Sequence, residues 1–500
     1  MKRRQGLLAA AAALAGCAAP PLPPPAPPPS PAGVIDEPPP APREFRAAWV
    51  ATVAYIDWPS RAGLDGLAQQ AEIEAAVSRA AAIGLNALVL QVRPAADALY
   101  TPGLEPWSEV LSGQQGRAPS PLYDPLAAWI TAAHRRGIEL HAWFNPYRAS
   151  HGTLRSPAAA SHLSRSRPQW IRRYGEQLWI DPGEPDAMAH TLAVVADVVR
   201  RYDVDGIQLD DYFYPYPVNG PDGQPLPFPD EATWQRHGAG MSRDDWRRAN
   251  VDRLLRELYR SVHVIKPQLR VGISPFGIGR PALRPPGIEG FSQYDQLFAD
   301  VERWVDEGWL DYLAPQLYWP INRAAQAFPV LLDYWQARLA GAAQKRHLWP
   351  GLFSSSVAAG AKPWPASEIE QQIALTRERA TGGHLHFSLS ALLQDRDGIA
   401  SRLTAGAYAQ PALVPATPWL GGVPPAAPQL HAMASAVLVE GGGSAFVHAL
   451  WQRQGGQWRF SVQPAAQRLI RPLQGADRLV VSAVDRAGNE GPRSSLLLAG

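Results

Sequence analysis

At 500 residues the chain exceeds one ordinary domain, which predicts a large core domain with a smaller partner. A net charge of +2 supplies no long-range field and argues against nucleic acid as a partner. A single cysteine excludes an internal disulfide framework, and the 18 tryptophans suit stacking on sugar rings as well as filling a core.

The N-terminus predicts export. Lys2-Arg3-Arg4 is a basic start, Leu7 to Leu14 is a short apolar run, and Leu14-Ala15-Gly16-Cys17 reads as a lipoprotein signal-peptidase site. The run is too short to span a bilayer. A signal peptide over 1–17 is therefore expected, with Cys17 lipidated and the mature chain membrane-anchored without disulfides. Ala18, not Asp, follows the cysteine, which in a diderm bacterium favours the outer membrane, facing the periplasm. Residues 18–42 are mostly Pro and Ala and predict a stiff tether, with a reach on the order of 70 Å as polyproline II.

From residue 45 onward short apolar segments alternate with helical ones, the pattern of βα units. Strands are expected at 45–53, 87–92, 139–145, 206–212, 270–276, 311–319, 348–354 and 384–390. Helices are expected near 68–83, 124–136, 186–202, 243–265, 294–307, 324–339, 366–380 and 391–404. Asp124-Pro125, Glu184-Pro185 and Ser242 mark helix starts, and Gly84 and Gly137 mark ends. Eight strands with eight helices predict an α/β fold, a (β/α)8 TIM barrel over 43–410.

Side chains alternate along a strand, so the apolar stripe facing the helices identifies the inward set. Opposite Leu88, Leu90 and Val92 stand Gln91 and Arg93; opposite Leu140, Ala142 and Phe144 stand His141, Trp143 and Asn145. Ile207 and Leu209 leave Gln208 and Asp210 inward; Leu313, Pro315 and Leu317 leave Gln316 and Tyr318 inward. On the last strand Leu385, Phe387 and Leu389 predict His384, His386 and Ser388 inward. Polar side chains accumulating at strand C-terminal ends point to a catalytic or binding pocket.

The densest chemistry lies at 206–215, where an apolar strand runs into Asp210-Asp211 and then into Tyr212-Phe213-Tyr214-Pro215. Acids at a barrel strand tip beside aromatic rings suit a glycan site. The long segments 146–185 and 213–242 are expected to wall its cleft. Residues 411–500 read as a Pro-rich linker over 411–428 followed by a small β-domain. Its strand pattern at 445–451, 458–462 and 479–490 resembles a fibronectin type III sandwich.

Several ordered blocks carry a family resemblance: Arg43 to Val53 with Asp57-Trp58-Pro59-Ser60, Gln91-Val92-Arg93-Pro94, Trp143-Phe144-Asn145-Pro146-Tyr147-Arg148, Asp210-Asp211-Tyr212, and Asp311 to Trp319. Over roughly 43–405 the chain resembles the glycosyl hydrolase-like family 10 proteins. The resemblance implies a secreted or lipoprotein barrel acting on peptidoglycan glycan strands, including strands already stripped of stem peptides.

Asp210 is the expected catalytic carboxylate, with Asp211 raising its pKa or positioning substrate. Expected substrate-binding residues are Arg93, His141, Trp143, Asn145, Tyr147, Arg148, Gln208, Tyr212, Tyr214, Gln316, Trp319 and His386. Strand 7 ends in Phe353-Ser354 without a Glu, so the second acid is open. Either the substrate's own N-acetyl group is the nucleophile, held by Tyr318, or a loop acid such as Asp57, Asp97, Glu105 or Asp395 serves. No cofactor or metal is expected, although His384 and His386 raise a metal-dependent deacetylase or amidohydrolase as a rival reading. A glycan-binding lipoprotein without turnover is the other.

Overall fold

Alternating short strands and helices fill the region from residue 45 in the computed structural model, which describes residues 37–152 and 156–498. The expected signal segment, Cys17 and most of the 18–42 tether lie outside the described residues. The barrel strands are β1 (Phe45–Val50), β2 (Ala87–Arg93), β3 (Glu139–Phe144), β4 (Gly206–Leu209), β5 (Arg270–Ile273), β6 (Tyr312–Leu313), β7 and β8 (Gly383–His386). All pair in parallel, in the order β6-β5-β4-β3-β2-β1-β8. β7 closes the ring in two pieces: His347–Leu348 pairs with β6 and Gly351–Leu352 with β8. Pro350 between them has no N–H for the ladder, although its carbonyl accepts from Leu385 N at 3.0 Å. The domain is TIM-barrel-like.

The principal helices are α1 (Gly66–Ile83), α2 (Pro125–His134), α3 (Pro185–Arg201), α4 (Arg243–Ile265), α5 (Val301–Asp306), α6 (Phe328–Gly341), α7 (Ala366–Glu378) and α8 (Ile399–Ala405). Their starts follow local chemistry: the Asp65 carboxylate accepts from Leu67 and Ala68 N–H, Asp124 from Ala127 N–H, and Ser242 from Asp245 N–H. Gly84, at φ 97°, ends α1 in the left-handed region that a Cβ disfavours. Two expected helices are broken. Gln293–Gln296 is separated from α5 by Phe298 at φ 54°, and Leu389–Leu393 from α8 by Asp395 and Asp397, each at φ 48°.

Two apolar layers result. Leu88, Leu90, Leu140, Phe144, Ile207, Leu209, Leu313 and Leu317 pack outward against the helices, while Phe45, Trp49, Val89, Trp143, Tyr312, Trp349 and Leu385 fill the barrel. The expected strand parity is observed on β2, β3, β4 and β6. On β8 it is inverted. His386 is in register with the helix-facing Ala48, and Leu385 with the inward-facing Ala47. His384 and His386 both bond the Tyr408 hydroxyl, at 2.5 and 2.8 Å, in the helix layer.

The C-terminal strands are β9 (Gln429–Ala432), β10 (Val437–Glu440), β11 (Val447–Gln454), β12 (Gln457–Pro464), β13 (Leu469–Ile470), β14 (Ala476–Val484) and β15 (Ser494–Leu497). They form a three-stranded sheet, β9-β10-β13, facing a four-stranded one, β12-β11-β14-β15, over Val437, Val439, Leu450, Ile470, Leu479 and Val481. The segment read as a linker is pinned along its first half. Leu413 bonds Pro42 O and Glu44 N, Thr417 accepts from Arg270 Nε at 2.8 Å, and Trp419 Nε1 donates to Asp311 at 2.8 Å. Arg486 reaches Asp205 at 2.7 Å, whose other oxygen accepts from Leu140 N at 2.7 Å and bonds His134. These contacts lie at the strands' N-terminal ends, so the sandwich sits at the barrel end opposite the Asp210 tip.

Candidate active site

At the C-terminal end of the barrel a cavity of about 190 Å³ opens over the strand tips. Ligand pockets typically span roughly 300–1,000 Å³, so this one suits about a single sugar ring with the rest of a chain outside. Asp210 and Asp211 form one wall. Trp49, Trp143, Tyr212, Tyr318 and Phe387 supply rings, and Gln91, Arg148, His151, Ser274 and Gln316 supply polar groups. A larger depression of about 910 Å³ on the sandwich has neither a carboxylate nor an aromatic ring in its lining. Chemistry therefore favours the smaller cavity.

β4 ends at Leu209, which delivers Asp210 inward, only 3% exposed. Its Oδ2 accepts from Trp143 Nε1 at 2.9 Å and from Asn145 Nδ2; its Oδ1 takes a long contact from Tyr212 N at 3.3 Å. Burial, and then the charge of Asp211, push Asp210 up to about 7, against an opposing pull from Arg148 and the Trp143 bond. Burial also raises Asp211, opposed by the Tyr216 hydroxyl that donates to it and by Gln316. Two carboxylates this close do not both ionise readily, so one proton is retained near neutrality.

The rings are fixed by one another. Tyr318 stacks on Phe353 with centroids 4.9 Å apart and lies 5.5 Å from Phe387. Arg148 sits 5.0 Å above the Tyr212 ring and donates to Pro94 O at 2.8 Å and Asn145 Oδ1 at 2.6 Å. The 146–185 segment folds its strands Arg148–Ser150, Gln177–Ile180 and Ile171–Tyr174 into a small antiparallel sheet that carries Arg148 to the cavity.

Of the expected site residues, Asp210, Asp211, Tyr318, Trp143, Arg148, Tyr212 and Gln316 line the cavity. Asn145 stands directly behind Asp210. Gln208 lies below, accepting from Trp49 Nε1 at 3.2 Å. Arg93 is not a wall residue. It is fully buried, paired to Glu105 at 2.5 Å, and donates to Asn145 O and Pro146 O, so it shapes the loop after β3. His141 is deeper, bonded to Tyr312 OH at 2.9 Å and Glu139 at 3.1 Å. Tyr147 and Tyr214 are buried, Tyr214 against Phe228 and Phe298. Trp319 packs on Phe276 outside the cavity. His386, on the inverted β8 face, bonds Ser354 Oγ at 2.7 Å and does not line the cavity.

The four loop acids are engaged elsewhere. Asp57 accepts from Ala51 N, Ser388 Oγ and Ser390 N; Asp97 from Ala95 N and Gln115; Glu105 pairs with Arg93; and Asp395 bonds Ser401. Among the described residues Asp210 and Asp211 are the only carboxylates lining the cavity. Sequence reasoning missed Trp49, Phe387, His151 and Ser274. Alternation from Phe45 through Ala47 places Trp49 inward, a signal available in the sequence, whereas Phe387 was hidden by the mistaken β8 parity.

Residues 44–364 match the family described as Glycosyl hydrolase-like 10. The chain is 39% identical to "Glycosyl hydrolase YngK" of Bacillus subtilis (strain 168) over 399 residues, 78% of this chain and 76% of that protein. It is 37% identical to "Glycosyl hydrolase DigH" of Escherichia coli (strain K12) over 313 residues, 58% of this chain and 69% of that one. Among solved structures, the PgaB (BpsB) glycoside hydrolase domain from Bordetella bronchiseptica superposes with a TM-score of 0.44 at 14% identity, over 73% of this chain and 98% of that one.

Proposed function

This chain belongs to the glycosyl hydrolase-like 10 family, and from that premise we propose that it is a cell-envelope glycosidase cutting peptidoglycan-type glycan strands, including peptide-free ones. The observation carrying the reading is a pair of buried carboxylates in an aromatic-walled cavity, one of them held up to about 7. Sugar rings offer apolar faces to aromatic walls, and a carboxyl titrating near neutrality is matched to general acid work.

Asp210 gives its proton to the glycosidic oxygen as the C1–O bond breaks. With the other acids tied up elsewhere, the acetamide oxygen of an N-acetylated sugar attacks C1, forming a cyclic oxazolinium. Asp211 accepts the acetamide N–H and Tyr318 holds the acetamide oxygen. Water then adds to C1, and Asp210, now a carboxylate, takes back a proton. Arg148, Trp143 and Tyr212 bind and orient the ring. The pattern at residues 1–17 supports anchoring through a lipidated Cys17 in the outer membrane, and the two-sheet C-terminal module is read as fibronectin type III-like.

The test is digestion of purified wall glycan, with and without its stem peptides, followed by mass spectrometry. New reducing ends support a glycosidase. Binding without products supports a non-catalytic glycan-binding lipoprotein, and released acetate supports a deacetylase.

A further inference from the structure

Resting on the glycosidase reading, we propose that Gln91 is a positioning residue that fixes which oxygen of Asp210 carries the acid proton, acting through Asn145. The hydrogen-bond directions around its amide carry the assignment. Backbone N–H groups of Thr52 and Val53 each stand 2.9 Å from one Gln91 side-chain atom. Backbone N–H groups can only donate, so that atom is the amide oxygen and the Gln91 amide has one allowed orientation. Its Nε2 must then face Asn145, 2.5 Å away. The Asn145 atom it meets also receives Arg148 Nη2 at 2.6 Å. Two donors converge there, so it is Oδ1, and Asn145 Nδ2 is turned to Asp210.

Asp210 Oδ2 thus receives two groups that can only donate, the Asn145 amide and the Trp143 indole. A proton on Oδ2 would face one of them. Oδ1, whose one hydrogen bond among the described residues is from Tyr212 N at 3.3 Å, is left to carry it. The direction originates in the backbone after β1, passes through Gln91 and Asn145, and ends by fixing the orientation of the acid. Gln91 is itself fully buried, so solvent does not compete for the amide.

Charged and titratable groups around Asp210 are Asp211 on its own strand end, Tyr212 and Tyr216 from the following loop, Arg148 and His151 from the loop after β3, and Tyr318 from the β6 end. Among the described residues none of them is hydrogen-bonded to Gln91, so the hydrogen-bonded route from Gln91 to Asp210 runs through Asn145.

Gln91→Glu is the informative substitution. One carboxyl oxygen still accepts from Thr52 and Val53. The other donates to Asn145 only while protonated; once ionised it repels Asn145 Oδ1 and draws the Asn145 NH2 toward itself, favouring the flipped amide against the pull of Arg148 Nη2 on Oδ1. A flipped Asn145 draws the Asp210 proton to Oδ2, away from the cavity. We expect kcat/KM of Q91E on peptide-free glycan strands to fall about tenfold or more relative to the native chain at pH 8. The loss should shrink toward pH 5, with the melting temperature of the two proteins tracking across that range.

Added negative charge alone would raise the Asp210 pKa and preserve activity at higher pH, the opposite trend. A native-to-Q91E ratio that is constant with pH, or that falls as pH rises, overturns the proposal while leaving the glycosidase reading intact. An inactive native chain overturns both. Should Q91E not fold, Asn145→Asp retains an acceptor for Gln91 and Arg148 and replaces the donor to Asp210. Its activity is expected to show the same recovery toward low pH, and a pH-independent loss would overturn the proposal.

Discussion

Replacing Asp210 with Asn should stabilise the protein while abolishing turnover. The folded carboxyl is raised from 3.8 to about 7, chiefly by burial and next by Asp211. In the unfolded chain it ionises near its ordinary value. As pH rises through that value the unfolded state loses its proton first, so native stability declines until the folded carboxyl ionises near 7. At about 1.4 kcal/mol per tenfold change in proton affinity, the penalty approaches roughly 4 kcal/mol above pH 7. The asparagine amide imitates the protonated acid. Its oxygen accepts the Trp143 and Asn145 donors, and its nitrogen takes the Oδ1 position, giving up only the long contact from Tyr212 N. Denaturant unfolding followed by tryptophan fluorescence should therefore show D210N more stable than the native chain at pH 8 and equal to it near pH 4. Equal stability at both pH values, or a gap that widens on acidification, would refute the reasoning.

Three further outcomes follow from the same geometry, and a fourth from the N-terminal sequence pattern. The alkaline limb of kcat/KM should fall near pH 7, and Asp211→Asn, by removing the like charge, should move it lower; a limb unmoved in pH profiles would separate the two carboxylates. Tyr318→Phe should reduce kcat about 10- to 100-fold on N-acetylated glycan, with little change in melting temperature because the ring still stacks on Phe353. Arg486→Ala removes the bonds to Asp203 and Asp205 at the barrel base and should cost about 1 kcal/mol in unfolding while leaving kcat unchanged. Cys17→Ser should abolish metabolic labelling by a fatty-acid probe and release the protein from the membrane fraction.

The barrel was legible because its outer faces are uniform. Leu88-Leu90-Val92 and Leu140-Ala142-Phe144 could only pack on helices, and their neighbours were thereby inward. β8 broke the rule, since its two histidines are satisfied by Tyr408 from beyond the last helix, a partner 22 or more residues away that alternation cannot reveal. Arg93 misled for a related reason: a buried guanidinium neutralised by Glu105 resembles a substrate-binding one until the partner is known. The loop acids Asp57, Asp97 and Glu105 were likewise disqualified only by their partners, which the sequence does not show. The helix break at Phe298 reflects left-handed backbone at a residue whose side chain does not favour it, whereas the break at Asp395 falls in Asp395-Arg396-Asp397-Gly398, whose Asp-Gly pair is a turn signal available in the sequence.

The most direct measurement is cleavage of peptide-free wall glycan in H2(18)O by the native chain and by D210N, with products resolved by mass spectrometry. One 18O atom is expected at the C1 hydroxyl of each new reducing end from the native chain, with no cleavage by D210N. Unlabelled anhydro ends, or full cleavage by D210N, would contradict the proposed hydrolysis.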